Sequence, residues 1–401
     1  MKERLVIKNF GPIKSVDLEL GKMTILIGEQ ATGKSTIAKV LAICRYFDYL
    51  HSSISSNENF INDFNNNFEN GLNEWGILEY VNEHTFIEYD CIHYKINGIG
   101  IKEKTTKAFV EKNDGSFEER DLQKNRNFTF NIFEKTKDFS SLLDYMENLK
   151  EESKKGIFTN IPVSFYQNQV SSVLENPFYI PTERGLQSIF SLGKSSIQNI
   201  SDSLFNQFAK MDMFNRSFQR ETEIKPLDLT YKNINGQGFI KNKRQLEFSS
   251  LYNGASGYQS TIPIILAIKY YSEIRRKSKT FIIEEPELNL FPKAQKKLIE
   301  FFVENINNSG HSFLLPTHSP YFLSAINDLL MAYKKGLNNE VEVDKIIKKD
   351  SWLNPDDLSV YQLKDGFAVD IFDKELNLIG ENIIDDVSDE MNEEFEELLD
   401  I

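Results

Sequence analysis

The sequence MTILIGEQATGKST occupies residues 23–36 and joins an apolar run to a glycine-rich loop. Residues 23–28 are apolar and β-rich, which predicts a buried parallel strand. Residues 28–35 fit the pattern G-x-x-x-x-G-K-[ST] at every fixed position. Thr36–Leu50 then has the apolar spacing of a helix. A strand, a glycine-rich loop and a helix in this order predict a nucleotide-binding P-loop.

The chemistry of this loop suits the phosphates of a nucleotide. Its backbone N–H groups and the N-terminus of the following helix form a nest for anions. Lys34 can reach the β- and γ-phosphates, and the Ser35 hydroxyl can bind Mg²⁺. The predicted ATP-binding residues are Gly28, Thr32, Gly33, Lys34, Ser35 and Thr36.

A second apolar strand ends in consecutive carboxylates. Residues 279–287 read KTFIIEEPE, and Pro286 stops the strand directly after Glu284 and Glu285. One carboxylate at such a strand end can hold the Mg²⁺ shell beside Ser35. A second one, aimed the other way, can orient or deprotonate the attacking water.

Two weaker motifs follow at sensible distances. Residues 253–260 read NGASGYQS, a polar turn that we expect to open an apolar helix over Thr261–Tyr271. Residues 312–320 read SFLLPTHSP and place His318 just past another apolar strand. Alone, a Ser/Gly helix cap is usually only a cap, and a lone histidine is usually structural.

In their order along the chain, these four motifs resemble those of ATP-binding-cassette (ABC) ATPases. The resemblance is closest to the soluble branch that contains RecF, SMC-like proteins and the ATPase domain of OLD-family proteins. The opening residues 5–14, LVIKNFGPIK, also look like the first strand of that branch. The resemblance covers about residues 1–45 and 170–330.

The resemblance implies a role for each motif. Lys34 and Ser35 would bind phosphate and Mg²⁺, with Glu284 as the Walker B residue and Glu285 as the catalytic carboxylate. His318 would be the switch histidine that contacts the γ-phosphate. The signature residues Ser256, Gly257 and Gln259 would close over ATP bound to a second subunit in a head-to-tail dimer, and Asn289 would lie in the D-loop at that interface.

The sequence departs from the usual ABC pattern at three motifs. Walker B ends in Glu284 where Asp is commoner, and the longer side chain can still hold the Mg²⁺ shell through water. In the signature, Ala255 precedes Ser256 and Tyr258 replaces the second glycine. A clear Q-loop is missing, and its best candidate is the segment YIPTERG at residues 179–185, with Arg184 and Gln187 as the residues of interest. Two alternatives stay open for Arg184: a phosphate-facing or dimer-coupling role, or a plain surface salt bridge.

Length and composition exclude several classes of protein. No run of the 401 residues approaches the roughly 18 apolar residues of a membrane helix, and no signal peptide precedes the first strand. Two cysteines exclude a disulfide scaffold and a cysteine-rich zinc site. We therefore expect a cytoplasmic protein without membrane contact.

The net charge of −14 is unevenly distributed. Residues 381–401 contain ten Asp and Glu and no Lys or Arg, with a helical apolar stripe from Val387 through Met391 and Phe395 to Leu399. Such a tail can dock on a basic partner, fold back across the protein's own basic clusters, or simply pack on its own lobe as a solvated terminal helix. Three basic clusters, residues 241–244, 275–279 and 345–349, are solvated faces or, if a dimer aligned them, a groove for duplex DNA.

The predicted fold is an α/β P-loop NTPase, a two-lobed ABC-type ATPase head with an inserted arm and no long coiled coil. The N-terminal part of the head spans residues 1–50 and the C-terminal part residues 166–335. Between them, residues 51–165 form the arm, with strands near residues 86–101 and helices over residues 103–160. An α/β extension at 336–380, with a hairpin turn at Asp365-Gly366, precedes the acidic tail at 381–401.

The predicted activity is ATP binding and Mg²⁺-dependent hydrolysis that switches an ATP-linked dimer, or a higher oligomer, between two states. The motifs look most like those of bacterial anti-phage defence ATPases, such as PtuA of the Septu system and AriA of the PARIS system. That resemblance implies a sensor or scaffold that controls a separately encoded effector, often a nuclease. The alternative is a RecF-like DNA-binding ATPase of repair or recombination.

Overall fold

A computed structural model describes residues 3–45, 68–90, 94–100, 104–111, 117–125, 128–134, 177–182, 184, 202–243 and 245–399. The chain divides into two compact units. The first comprises Met1–Glu19, Lys39–Leu174 and Asp365–Phe367, and the second comprises Leu20–Ala38, Glu175–Lys364 and Ala368–Ile401.

The strands and helices of the described residues are numbered here in chain order. The strands are β1 (Glu3–Phe10), β2 (Ile13–Leu20), β3 (Met23–Gly28), β4 (Phe86–Asp90), β5 (Tyr94–Gly100), β6 (Lys104–Glu111), β7 (Phe117–Asn125), β8 (Phe128–Glu134), β9 (Phe178–Ile180), β10 (Thr222–Ile224), β11 (Leu229–Ile234), β12 (Gln237–Asn242), β13 (Ser249–Ser250), β14 (Thr280–Ile283), β15 (Ser312–Pro316), β16 (Leu358–Lys364), β17 (Phe367–Asp370), β18 (Phe372–Asp373) and β19 (Leu378–Ile379). The helices are α1 (Lys34–Arg45), α2 (Asp202–Ser217), α3 (Ser256–Lys269), α4 (Pro292–Ser309), α5 (Pro320–Ile346) and α6 (Ile383–Leu399), and a π-helical segment, Tyr270–Arg275, continues α3.

The first unit contains strands in the order β8-β5-β4-β1-β2, and β8, β5, β4 and β1 pair antiparallel. The strands β6 and β7 form a separate antiparallel pair. The strands β4 and β5 confirm the strands expected near residues 86–101, and they pair antiparallel. The helices expected over residues 103–160 are wrong for the described part, because β6, β7 and β8 occupy it. Threonine, valine and phenylalanine recur among the charged residues of these strands, and such residues favour a pleated strand over a helix.

The second unit holds a parallel sheet in the order β16-β3-β15-β14-β9. All six residues of β3 and all four of β14 are buried, as expected for central strands that are covered on both faces. An antiparallel sheet of β10, β11, β12 and β13 belongs to the same unit. In open α/β sheets, ligands bind outside the carboxyl ends of the parallel strands. The P-loop, Glu284 and His318 follow the carboxyl ends of three neighbouring strands of this sheet, which confirms the predicted α/β P-loop fold.

Two further elements expected from the sequence are present, and a third begins earlier than expected. Asp365 and Gly366 have φ values of 53° and 84°, as the predicted two-residue hairpin turn requires. The helix expected in the acidic tail is present as α6. The helix expected from Thr261 instead begins at Ser256, five residues earlier.

The longest helix of the described ranges, α5, has 27 residues and contains a non-helical residue at Asn339. Within those ranges there is therefore no long coiled coil, as predicted. None of the helices there combines the length and the apolarity that crossing a bilayer would require.

Candidate nucleotide site

The P-loop between β3 and α1 has a backbone that needs its two glycines. Gly28 and Gly33 have φ values of 148° and 104°. A Cβ atom at Gly28 would lie 2.5 Å from the carbonyl oxygen of Leu363 in the neighbouring strand. The Thr32 hydroxyl donates to the Glu29 carbonyl at 2.9 Å and closes the turn. The loop is thus held in a fixed shape at the N-terminus of α1, where backbone N–H groups can receive an anion.

Lys34 is folded into this loop. Its Nζ donates to the carbonyl oxygens of Gly28 and Glu29, each at 2.7 Å, and the residue is only 7% exposed. Burial lowers the pKa of Lys34 to about 8, and the carboxylates of Glu285, Glu287 and Glu29 act in the opposite direction. Both acceptors of this ammonium are neutral carbonyls, and a phosphate would give it an anionic partner. The next residue, Ser35, is exposed at the helix N-terminus, whereas Thr36 is buried.

Glu284 lies directly after β14 and is 5% exposed. Its amide donates to the carbonyl of Ile180 at 3.0 Å, and its Oε2 accepts from the Thr182 hydroxyl at 3.3 Å. Its other oxygen, Oε1, is buried and has no hydrogen-bond partner among the residues that the structure describes. A buried carboxylate oxygen without a donor is costly unless a cation or water reaches it.

The oxygen ligands near Glu284 suit Mg²⁺ better than a metal ion whose ligands all come from the protein. The described residues contain no cluster of three or more His, Cys, Asp or Glu side chains that could hold a metal ion. Mg²⁺ is usually bound through one or two protein oxygens together with waters and substrate phosphates. The carboxylate of Glu284 and the exposed hydroxyl of Ser35 match that pattern.

Glu285 has an unusual backbone and a neighbouring histidine. Its φ is 42°, in the left-handed region that non-glycine residues rarely adopt. Its amide donates to the Pro316 carbonyl at 2.9 Å. The Oε1 atom of Glu285 lies 4.0 Å from Nε2 of His318. Burial, and then the positive charge of Lys34, lower the pKa of His318, so this imidazole is neutral near pH 7.

Arg184 is completely buried, so the surface salt bridge considered for it is wrong. Its guanidinium donates to four main-chain carbonyls, those of Pro181, Ser260, Glu284 and Glu285. Two of these hydrogen bonds hold the backbone of the carboxylate residues Glu284 and Glu285. The phosphate-facing or dimer-coupling role of Arg184 stays a prediction, and Gln187 lies outside the described residues.

A third carboxylate, Glu287, belongs to the same loop and was missed by the sequence reasoning. Its Oε1 accepts from the Thr317 hydroxyl at 2.7 Å and from the His318 amide at 2.8 Å. Its Oε2 is buried and accepts no hydrogen bond from another residue in the described part of the chain. Burial raises the pKa of Glu287, and the nearby charge of Glu285 adds to the shift. The only sequence signal was a third acid in the run EEPE.

The signature residues begin α3. Ser256 is exposed at the helix N-terminus, and Gly257 is buried against the loop that contains Asn289. A Cβ atom at Gly257 would lie 2.5 Å from the Asn289 carbonyl oxygen, so this contact requires glycine. Asn289 itself is exposed and has a φ of 62°. Gln259 donates to the carbonyls of Tyr252 and Gly254 at 2.9 Å each and thereby holds the preceding turn.

The second unit therefore brings together the P-loop, Glu284, Glu285, Glu287, His318 and Arg184 through direct contacts and charge interactions. The signature is tied to the carboxylate loop through Gly257 and through Ser260, whose hydroxyl donates to the Leu288 carbonyl at 2.9 Å. Contacts of Ser256, Gly257 and Gln259 with ATP in a second subunit stay a prediction.

Residues 1–323 match a family model described as an AAA ATPase domain, AAA_15. No curated protein matches the sequence. Among solved structures, the SMC head domain from Thermotoga maritima is similar with a TM-score of 0.40 and 10% identity, over 92% of this chain and 98% of that chain. An SmcHead bound to the C-winged helix domain of ScpA gives 0.39 and 10% over 92% and 96% of the two chains. A Smc head domain with an extended coiled coil, bound to the C-terminal domain of ScpA derived from Pyrococcus furiosus, gives 0.39 and 7% over 92% and 95%.

Proposed function

The chain belongs to the AAA ATPase domain family, and we propose that it binds ATP, hydrolyses it with Mg²⁺ and uses the bound nucleotide as a conformational switch. The observation that carries this proposal is the environment of Lys34. A buried ammonium bonded only to two loop carbonyls lies within the field of Glu285 and Glu287 at the carboxyl edge of a parallel sheet. That arrangement suits a phosphate chain flanked by carboxylates.

Each residue of the site then has a defined task. Lys34 and the N–H groups of the loop bind the β- and γ-phosphates, and Ser35 and Glu284 hold Mg²⁺. Bound Mg²⁺ would neutralise part of the phosphate charge. Glu285 orients the attacking water and takes its proton. His318, neutral and 4.0 Å from Glu285, can donate a hydrogen bond from its protonated ring nitrogen to the γ-phosphate.

The switch is proposed to be a head-to-tail dimer of the ABC type. Ser256 is exposed at the N-terminus of α3, where its hydroxyl and the helix dipole can meet a γ-phosphate from outside the subunit. Asn289 is exposed on the adjoining loop, and Phe291 is 77% exposed two residues later. An ADP lacks the γ-phosphate that Ser256 would contact, so the nucleotide state would set the population of the dimer.

We further propose that the switch controls a separate protein, in keeping with the resemblance to anti-phage defence ATPases and their nuclease effectors. In α6, four apolar side chains are each more than 60% exposed: Met391, Phe395, Leu398 and Leu399. The same helix contains eight acidic residues and no basic one. Its acidic surface repels DNA and favours a basic, apolar groove on a protein.

The RecF-like alternative requires a basic surface, and one of the three basic clusters supports it less. In the cluster at residues 345–349, Lys345, Lys348 and Lys349 each pair with an acid of the same region: Glu342, Asp344 and Glu340. These ion pairs reduce the charge available to a phosphate backbone.

The proposed activity is tested by nucleotide binding to a Lys34→Ala variant. We expect the wild type to bind ATP with Mg²⁺ and the variant to lose binding. The substitution removes the buried ammonium of the P-loop that would bind the phosphates. Lys39→Ala is the matched control, since Lys39 lies on the same helix and donates to the Trp75 carbonyl at 3.2 Å instead. Calorimetry with a non-hydrolysable ATP analogue reads out both. Retained affinity in Lys34→Ala would reject the P-loop assignment.

A further inference from the structure

Glu287 connects two loops of the candidate site. It lies in the loop after β14, and its Oε1 accepts from the Thr317 hydroxyl and the His318 amide in the loop after β15. The Thr317 hydroxyl also accepts from the Ser319 amide at 3.1 Å, and Ser319 caps α5 through the Phe322 amide. The backbone that carries His318 is therefore fixed on one side by a helix cap and on the other by Glu287.

His318 has no comparably close side-chain contact with Glu285. Glu285 Oε1 and His318 Nε2 are 4.0 Å apart, which is beyond hydrogen-bonding distance. The bond from the His318 amide to Glu287, at 2.8 Å, is much shorter. The position of the imidazole relative to Glu285 thus depends on how its backbone is held.

Only one oxygen of Glu287 makes these contacts. Its Oε2 is buried and accepts no hydrogen bond from another described residue, so the contacts that tie Glu287 to Thr317 and His318 all go to Oε1. A neutral side chain with one oxygen at the same place, such as glutamine, can accept the same two hydrogen bonds.

Resting on the proposed ATPase activity, we propose that Glu287 is a positioning residue that holds His318 beside Glu285 by accepting two hydrogen bonds with a single oxygen, and that its negative charge is dispensable. Glu287 needs no contact with nucleotide or water for this role. Its effect is transmitted through Thr317 and the His318 backbone.

The test compares Glu287→Gln with Glu287→Met in the full chain. Methionine keeps the length of the side chain but removes the acceptor. We expect Gln to keep kcat within about twofold and Met to lower it by about tenfold to a hundredfold, because small misplacements of catalytic groups cost that much. The affinity for a non-hydrolysable ATP analogue should change by the same factor in both variants, because each removes the negative charge of Glu287 that acts on Lys34.

A spectroscopic readout separates positioning from general destabilisation. The imidazole resonance of His318, assigned by its absence in His318→Gln, should coincide in the wild type and Glu287→Gln and shift in Glu287→Met. If Glu287→Met fails to fold, Thr317→Val replaces it, with Thr317→Ser as the rescue that restores the hydroxyl.

Three results overturn the inference. Wild-type turnover in Glu287→Met would show that the contacts do not matter, and an equal loss in Gln and Met would show that the charge is required. An unshifted His318 resonance in Glu287→Met would show that another contact holds the ring. If the wild type does not hydrolyse ATP at all, the proposed function fails, while the His318 resonances still decide whether Glu287 positions this residue.

Discussion

The buried guanidinium of Arg184 donates a hydrogen bond to the main-chain carbonyl of Glu285. It also donates to the carbonyl of Glu284 at 2.7 Å. Glu285 has a positive φ, and such a conformation costs a non-glycine residue about 1–3 kcal/mol. Its amide is held by the Pro316 carbonyl at 2.9 Å. Hydrogen bonds on both sides therefore hold Glu285 in a backbone conformation that it would not adopt alone. Glu285 is the residue that we propose activates water.

Replacing Arg184 by methionine should both destabilise the protein and abolish turnover. Several buried carbonyls would lose their donor, and each unsatisfied group costs about 1–3 kcal/mol, so we expect a loss of at least about 3 kcal/mol. Arg184→Lys should not restore activity, because one ammonium cannot span carbonyls that a planar fork reaches together. Urea unfolding and ATPase assays measure the two effects.

The control for Arg184 is Arg216→Met. The side chain of Arg216 is 53% exposed and pairs with Asp212 one helical turn away, so its loss should cost less than about 1 kcal/mol. Equal stabilities of the Arg184 and Arg216 variants would show that the buried fork does not hold the carboxylate loop.

A Glu285→Gln variant should bind ATP normally and lose turnover. The amide can occupy the same space but cannot take a proton from water. Loss of general-base catalysis should lower the turnover rate by about a hundredfold or more. Because γ-phosphate would persist, the variant should also accumulate as a dimer with ATP and not with ADP. Turnover and sedimentation velocity measure these effects, with Glu29→Gln, an exposed acid of the P-loop, as the control. Hydrolysis at the wild-type rate would exclude Glu285 as the base.

The P-loop and the two carboxylates could be predicted from the sequence because their chemistry is local. A glycine pattern, a lysine and a strand that ends in acids specify a phosphate site wherever the strands lie in a parallel sheet. The role of Arg184 could not be predicted in this way, since its partners Ser260 and Glu285 are 76 and 101 residues away. Glu287 was missed for the same reason, because its two donors come from another strand end.

His311 should make the stability of the protein depend on pH. Burial lowers the pKa of this histidine to about 4 from an ordinary value of 6.5. Its Nδ1 accepts from the Lys279 amide at 3.0 Å, so the neutral ring is the one that fits. As the pH falls below 6.5, the unfolded chain takes up a proton that the folded one does not. The stability present above pH 6.5 should therefore decrease by about 2 kcal/mol by pH 5.

Urea unfolding at pH 7.5 and pH 5.0 measures this contribution by comparison of the wild type with His311→Gln. The variant should lose the part of the pH dependence that comes from His311, whereas His84→Gln, with a side chain that is 75% exposed in the wild type, should keep it. An unchanged slope in His311→Gln would assign the pH dependence to other groups.

The exposed apolar face of α6 should be needed for a protein partner and not for ATP turnover. Phe395 is 62% exposed, and an aspartate there would remove an apolar anchor from a helix that is already acidic. We expect Phe395→Asp to keep turnover within about twofold and to recover at least about tenfold less partner. Turnover is measured in the chain that keeps Glu285. Partner recovery is measured in the Glu285→Gln chain, captured with ATP from its native cell and analysed by mass spectrometry and nucleic-acid staining. Val369→Asp, at an apolar side chain that is 54% exposed on β17, is the control.

A stoichiometric nuclease that is lost only in the Phe395 variant would support the effector-controlling switch. Duplex DNA without a protein, retained in both variants, would favour the RecF-like alternative, because an acidic helix cannot be the surface that binds a phosphate backbone.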